Sequence, residues 1–242
     1  YQVTATLDDW RLEAQPDRPL TARVNGQISI AGRGNRMSGE AELAARDVMW
    51  SDLALGPIDA HVALSNDVAH VRAALPELAL NAEGDVSTIA PYRSELTATV
   101  SNLNLARALR DVNLPEPITG TISGRVDASG SPQQWRSGRA QLEISNLEAR
   151  AASLELRLRE PIQARYQNER VQIDRLEATL VSTGSAIARG TLVSASGALP
   201  LNKAAKSNGP DSLVATIAGD VGEVLGAVRS SRLANIPPLT AA

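Results

Sequence analysis

The stretch "AQLEISNLEARAASLELRLR", residues 140–159, decides the fold, because apolar and polar residues alternate along it. Leu142 and Ile144 stand on either side of Glu143, and the same period of two returns around Leu156. Such a period places the apolar side chains on one face of a β-strand and the polar ones on the other. The stretch therefore predicts half-buried strands and raises the question of what covers their aliphatic face.

The composition restricts the answer. The chain has 242 residues, a net charge of −3 and no cysteine, and 43% of its residues are hydrophobic. It contains no Phe, three Trp and three Tyr, so the apolar surface is nearly all Leu, Val, Ile and Ala, whereas β-sandwich cores usually contain aromatic bulk. Scattered charges argue against a nucleic-acid partner, and the lack of cysteine excludes disulfides and thiolate metal sites.

The sequence also repeats, with a period on the order of a hundred residues. "PLTARVNGQISIAGRGNRMSGEAEL" (19–43) corresponds to "PITGTISGRVDASGSPQQWRSGRAQL" (117–142). Shorter correspondences are "GPIDAHV" (56–62) with "EPIQARY" (160–166), "NAEGDV" (81–86) with "IARGTL" (187–192), and "TATLDDWRL" (4–12) with "TATVSNLNL" (97–105) and "VATIAGDVGEVL" (214–225). We predict one continuous repeat fragment over 1–242, with a first unit at 1–91, a second at 92–212 and the start of a third at 213–242.

Most segments within a unit are predicted to be strands joined by short turns, which favours an antiparallel meander. The predicted strands lie near 21–31, 39–46, 53–55, 58–65, 68–74 and 77–86, then near 94–101, 118–129, 138–146, 152–159, 162–167, 170–181 and 186–194. Short helices are predicted within 102–113, capped by Asn102 or Asn104, and within 219–231. Residues 194–212 have the composition of a mobile loop. The three-residue step from Ile173 to Leu176 predicts a β-bulge.

These patterns predict an all-β fold: an elongated, repetitive antiparallel sheet curled into a U-shaped, taco-like trough, with an aliphatic inner face and one or two short helices. A sandwich or solenoid with a closed, dry core is the alternative. An open trough would suit acyl chains, which have no hydrogen bonds to satisfy. The predicted groove lining is Val24, Ile28, Ile30, Leu43, Ile58, Val62, Leu64, Leu78, Leu80, Ile118, Ile122, Val126, Leu142, Ile144, Leu154, Leu156, Leu158, Ile162, Val171, Ile173, Leu176 and Leu180.

Signatures of catalysis are not found in the sequence. His61 and His70 are the only histidines, and their separation fits no metal-ligand spacing. Asp8 and Asp9 are expected to be turn residues rather than an acid–base pair. Trp135 is expected to pack over a sheet edge or to contact lipid headgroups. We therefore predict no enzyme activity, no catalytic residue, no metal and no cofactor.

Taken in order, "PITGTISGRVDASGSPQQW" (117–135), "GRAQLEISNLEA" (138–149) and "LRLREPIQARYQNERVQIDRLEATLVSTGSAIARGTL" (156–192) resemble the repeats of the AsmA-like superfamily, most of all its TamB group. The helical "LNLARAL" (103–109) before a Pro-containing link is also typical of that group. The resemblance covers nearly all of the chain.

The resemblance implies a periplasm-spanning, bridge-like lipid transfer protein of the bacterial cell envelope. Its hydrophobic groove would shield phospholipid acyl chains moving between the inner and outer membranes. The resemblance also implies attachment to the inner membrane by an anchor absent from this fragment, and an outer-membrane β-barrel as a further partner. The alternative function is a scaffold module with a closed core that assists outer-membrane protein assembly without transporting lipid.

Overall fold

The computed structural model describes residues 1–14, 20–33, 36–50, 53–110, 112, 114, 116–131, 136–182, 190–200 and 213–219. They form one fifteen-stranded antiparallel sheet, which confirms the predicted all-β, elongated antiparallel architecture. The U-shaped curl and the aliphatic inner face stay predictions. The strands are β1 Gln2–Ala14, β2 Leu20–Arg33, β3 Arg36–Trp50, β4 Leu53–Ala54, β5 Ile58–Ser65, β6 Val68–Leu75, β7 Leu80–Ser87, β8 Ser94–Asn104, β9 Ile118–Gly130, β10 Arg139–Ala151, β11 Leu154–Leu158, β12 Ile162–Gln167, β13 Arg170–Ser182, β14 Thr191–Pro200 and β15 Leu213–Ala218.

Neighbouring strands in the sheet follow the order of the chain, except at two breaks. β3 pairs with both β4 and β5, and β10 pairs with both β11 and β12. β4 and β5 thus lie end to end along β3, and β11 and β12 lie end to end along β10. Proline lies at both breaks, in Gly56-Pro57 and in Glu160-Pro161. Because proline has no N–H for the ladder, it divides one long strand into two collinear pieces.

β-bulges shift the register at corresponding places in the two units. In β1 the register shifts between Leu7 and Trp10, and in β8 between Val100 and Leu103. Asp9 and Asn102 lie inside these bulges with φ of 47° and 54°. The extra residue keeps side chains that are three positions apart on one face of the sheet.

The bulge predicted from the step between Ile173 and Leu176 is confirmed, since β13 shifts register against β14 between these two residues. The predicted cap is also present at Asn104, whose side-chain oxygen accepts the Arg107 N–H at 3.1 Å. The predicted helix is shorter than expected: α1 spans Leu105–Ala108, and its predicted first residues belong to β8.

Three further expectations are wrong in part. Residues 194–200 are not loop, because they belong to β14. Val193, Ala195 and Gly197 lie on one face of that strand. Leu78 is not in a strand: Pro76–Leu78 form a 3₁₀ turn that begins at a proline, and β7 starts at Leu80. Strands β1 and β15 run where the sequence predicted none. Residues 201–212 of the predicted loop and 220–231 of the second predicted helix lie outside the described residues.

Burial is concentrated in two places among the described residues. Val48, which is 2% exposed, packs with Ala22 and Val24 under half-buried neighbours that include Leu12 and Leu43. A second group of buried side chains lies on the strands of the second unit: Leu154, Ile162, Ala164, Ala178 and Thr191. Most of the remaining aliphatic side chains are half-buried. Much of the apolar surface therefore keeps contact with solvent.

Candidate functional site: apolar rows across the sheet

Residues that are register partners in an antiparallel sheet lie side by side on one face. Following the partners from β1 to β15 gives a row, here called row one, that contains only aliphatic residues and glycine. Its members are Leu7, Gly26, Leu43, Ala60, Ala73, Ala82, Ala98, Val126, Leu142, Ala164, Ile173, Gly197 and Leu213.

A second apolar row runs two residues away on the same face and is called row two. Its members are Ala5, Ile28, Ala41, Val62, Val71, Gly84, Leu96, Ala128, Ala140, Tyr166, Val171 and Leu199. The one polar side-chain group in this row is the Tyr166 hydroxyl, which donates to the Arg136 carbonyl at 3.2 Å. Row one thus runs from β1 to β15 and row two from β1 to β14, and neither contains an unsatisfied polar side chain.

The structure places the predicted lining residues on strands with one exception, Leu78. Leu43, Val126, Leu142 and Ile173 belong to row one, and Ile28, Val62 and Val171 belong to row two. The others lie in adjacent rows along the same strands: Val24, Ile30, Ile58, Leu64, Leu80, Ile118, Ile122, Ile144, Leu154, Leu156, Leu158, Ile162, Leu176 and Leu180.

The predicted lining does not include Val71, Leu96 and Tyr166, nor Leu7, Leu199 and Leu213 at the ends of the rows. The signal was present at Val71, which stands between His70 and Arg72 in the same alternation. For Leu96 and Tyr166, the information came from the register of β8 and β12 against their neighbours.

Exposure differs strongly along the apolar rows. Leu96 is 45% exposed and Leu142 is 36% exposed, whereas Ala164, the register partner of Leu142 in row one, is 7% exposed. Exposed leucines also lie where the rows reach β14 and β15, at Leu199 and Leu213. A water-exposed apolar strip of this kind is the usual mark of a surface that binds something.

The residues between these rows point to the other side of the sheet and are mostly polar. One such polar row contains Thr6, Gln27, Glu42, His61, Arg72, Glu83, Thr97, Asp127, Gln141, Arg165 and Gln172. Opposite charges face one another in it, as at Arg72 and Glu83. Such pairs favour one register over others.

Asp127 is the most strongly perturbed acid of this polar side. The Arg125 guanidinium donates to it from Nη2 at 2.7 Å and from Nε at 2.8 Å, and the Thr97 hydroxyl donates at 2.6 Å. The hydrogen bonds from Arg125 and then Thr97 lower the pKa of Asp127 to about 2. Hydrogen bonds from Arg150 and Arg157 likewise lower the pKa of Glu155. These carboxylates are therefore held charged and paired, as in structural ion pairs.

Two cavities, of about 1000 Å³ and about 900 Å³, are lined by residues of the polar row together with members of the apolar rows. The first is bordered by His61, Arg72 and Asp127 and also by row-two members such as Val71 and Leu96. The second is bordered by Gln27 and Glu42 and also by row-one members such as Leu43. Of the predicted lining residues, Leu43 alone borders either cavity. The aliphatic trough stays a prediction, since its expected lining residues other than Leu43 do not border these two hollows.

The remaining chemistry-bearing side chains have ordinary partners. His70 Nδ1 is hydrogen-bonded to the Asp85 carboxylate, and His61 faces Arg72 on the neighbouring strand. Asp9 lies in the β1 bulge and accepts from Arg23 at 3.4 Å. Within the described parts of the chain, no three His, Cys, Asp or Glu side chains are grouped so that they could hold a metal ion. Trp135 lies outside the described residues.

A search of the helices in the described ranges finds none with the length and apolarity needed to cross a membrane. Comparison of the chain with known protein families, with curated proteins and with solved structures finds no match.

Proposed function

We propose that this chain is a segment of a bridge-like lipid transfer protein whose apolar rows shield phospholipid acyl chains. The observation that carries the proposal is the continuity of rows one and two across the strands of the sheet. A path for hydrocarbon needs an uninterrupted apolar surface, because one unpaired polar group would attract water to the acyl chain.

The dimensions support this use. Row one crosses thirteen strands, and strands lie about 4.8 Å apart, so its length is roughly 60 Å. One leaflet accounts for about half of a ~30 Å hydrocarbon core, so the row can hold more than one acyl chain end to end. Each methylene removed from water contributes about 0.8 kcal/mol.

The side chains of the rows support loose binding that permits sliding. Row one consists largely of Ala, Leu, Val and Gly, which offer no hydrogen bond or charge to hold a ligand at one position. The exposure of Leu96 and Leu142 leaves apolar surface open for an acyl chain to cover.

The proposal also includes the setting that the TamB-like repeats imply. The chain would act in the periplasm as part of a protein anchored in the inner membrane, with an outer-membrane β-barrel as a partner. The resemblance of residues 117–192 supports this setting.

Lipid extraction from the purified protein tests the proposal. We expect phospholipid in an organic extract of the native protein, identified by mass spectrometry, and a marked loss of it in Leu142→Arg. Gln141→Arg is the matched control, because Gln141 is the exposed neighbour on the polar side of the same strand. Equal lipid content in both folded variants, or no lipid in the native protein, would contradict acyl-chain binding.

A scaffold module is the second candidate, and the position of the cavities favours it. Polar residues such as His61, Asp127 and Glu42 line both cavities, and Val48, Ala22 and Val24 form a packed cluster. A scaffold predicts no extractable lipid, and it predicts that Leu142→Arg and Gln141→Arg behave alike in every lipid assay.

A further inference from the structure

The register shows that β15 repeats β8. In the β7–β8 pair, Leu80 faces Val100 and Gly84 faces Leu96. The β14–β15 pair reproduces this arrangement, with Val193 facing Ile217, Ala195 facing Ala215 and Gly197 facing Leu213. The match corrects the sequence alignment, since Gly84 corresponds to Gly197 and not to Gly190.

β1 belongs to the same class as β8, as its pairing partner shows. Leu7 of β1 faces Gly26 of β2, and Val100 of β8 faces Gly124 of β9. The preceding positions agree as well, with Ala5 facing Ile28 and Ala98 facing Val126. Strands of this class thus pair on one side with a strand of the β2 and β9 type.

The described part of the chain gives β15 a partner on one side only, namely β14. All six residues of β15 are exposed, with Val214 at 60% and Ile217 at 40%. The equivalents of Ala215 and Ile217 in β8 are half-buried. β8 has a neighbouring strand on both sides, so a strand paired to the outer edge of β15 would account for this difference in exposure.

The outer edge of β15 also lacks the usual protection. Edge strands discourage pairing with charges, proline or bulges, and β1 has Asp8 and Asp9 in a bulge. The sequence of β15, "LVATIA", contains no charge and no proline. Within the described residues, the backbone groups of this edge have no ladder partner, so they can template a further strand.

We propose that the outer edge of β15 binds an extended segment of the β9 type in antiparallel register. Ile217 faces a glycine of this segment, and Ala215 faces the aliphatic β-branched residue two positions later. The ligand class is thus a peptide strand with the alternation of "PITGTISGRVDASGS" (117–131). Backbone hydrogen bonds bind it, and contacts with the aliphatic side chains of β15 select it.

A synthetic peptide of residues 117–131, added to the full chain, tests this proposal. We expect saturable binding, measured by fluorescence anisotropy, with an affinity about tenfold or more above that of a scrambled peptide. Hydrogen exchange should show new protection in 213–218. Equal binding of the two peptides, or no new protection in this strand, would overturn the proposal.

Disulfide trapping tests the register, because the chain contains no cysteine of its own. Ala215→Cys should cross-link to a peptide with Val126→Cys, or Thr216→Cys to one with Arg125→Cys. Adjacent rows alternate between closer and wider Cα spacing, so one of these pairs has the favourable geometry.

The mismatched control joins Ala215→Cys to a peptide with Ala128→Cys, which lies two residues out of register. Equal yields of matched and mismatched cross-links would overturn the predicted register. Disulfide dimers of the Ala215→Cys protein that form in preference to the peptide adduct would assign the edge to a second copy of the chain instead. Because Ala215 and Thr216 are exposed, circular dichroism is expected to show unchanged folding in both variants.

Discussion

The backbone N–H of Asn102 donates a hydrogen bond to the hydroxyl oxygen of Ser123 on the next strand, with the two atoms 2.8 Å apart. The first unit has the same arrangement, where the Asp9 N–H donates to the Asn25 side-chain oxygen at 2.9 Å. In both places a bulge residue with positive φ has lost its ladder partner, and a polar side chain replaces it. The bulge is thus a repeated element of the fold.

Ser123→Ala should destabilise the protein by about 1 kcal/mol, because the Asn102 N–H loses its acceptor. Chemical denaturation measures the change. Asn102→Gly is the comparison variant: it removes the Asn102 side-chain oxygen that accepts from the Ser123 hydroxyl at 3.3 Å, but it keeps the Asn102 N–H bonded to Ser123. It should cost less than Ser123→Ala, since glycine adopts positive φ without strain. A Ser123→Ala variant as stable as the parent would show that water replaces the hydroxyl at this bulge.

Val48→Ala should cost about 2 kcal/mol, because it removes two methyl groups from a side chain that is 2% exposed. Val3→Ala is the matched control: Val3 is 55% exposed on the edge strand, and its truncation should change the free energy of unfolding by less than about 0.5 kcal/mol. Similar costs at the two sites would mean that the Val48 cluster is not a packed core.

Ile162→Arg and Leu142→Arg should differ in their cost to stability, because Ile162 is a core residue and Leu142 an exposed lining residue on the same face. Ile162 is 7% exposed, so an arginine there is buried without a partner and should cost about 3 kcal/mol or more. Leu142 is 36% exposed, and its arginine can reach water, so a cost below about 1 kcal/mol is expected. Thermal unfolding of both variants checks this, and equal losses would argue that Leu142 belongs to the core.

Asp127→Asn should remove a stabilisation that depends on pH. The pKa of Asp127 is lowered from an ordinary value of 3.8 to about 2, so its pairing stabilises the folded state fully above pH 3.8. That contribution is lost as the pH falls through 2, because the carboxyl is then protonated in both states. The effect is modest, since the Asp127 side chain is 44% exposed.

The measurement for Asp127 is the melting temperature of the parent and of Asp127→Asn at several values of pH. The gap between them should be constant near neutrality and should narrow between pH 4 and pH 2. Glu148→Gln is a suitable control, because Glu148 is an exposed carboxylate on the polar side of β10. A gap for Asp127→Asn that widens at low pH would contradict the assignment.

The alternation around Leu142 and Ile144 was enough to predict strands, their apolar side and the bulge before Leu176. Each of these depends on local chemistry, since a period of two has one structural outcome in an antiparallel sheet. The cap at Asn104 was predictable for the same reason. The helix after it was overestimated, because β8 extends through Asn104 and tertiary pairing overrides a weak local propensity.

Other features depended on partners that are distant in sequence. The membership of Leu96 and Tyr166 in row two is decided by register, and register is a property of two strands together. Residues 194–200 looked like loop because Gly197 and Pro200 are poor strand formers, yet pairing with β13 and β15 holds them extended.

The sequence by itself thus determined the strand content, the aliphatic character of one side and the recurrence of its parts, because these follow from side-chain order along a single strand. The tertiary structure alone decided which residues stand side by side, where the hollows lie and which edge has no partner among the described residues. The physical reason is that cross-strand hydrogen bonds and packing select one register among several that the local pattern permits equally.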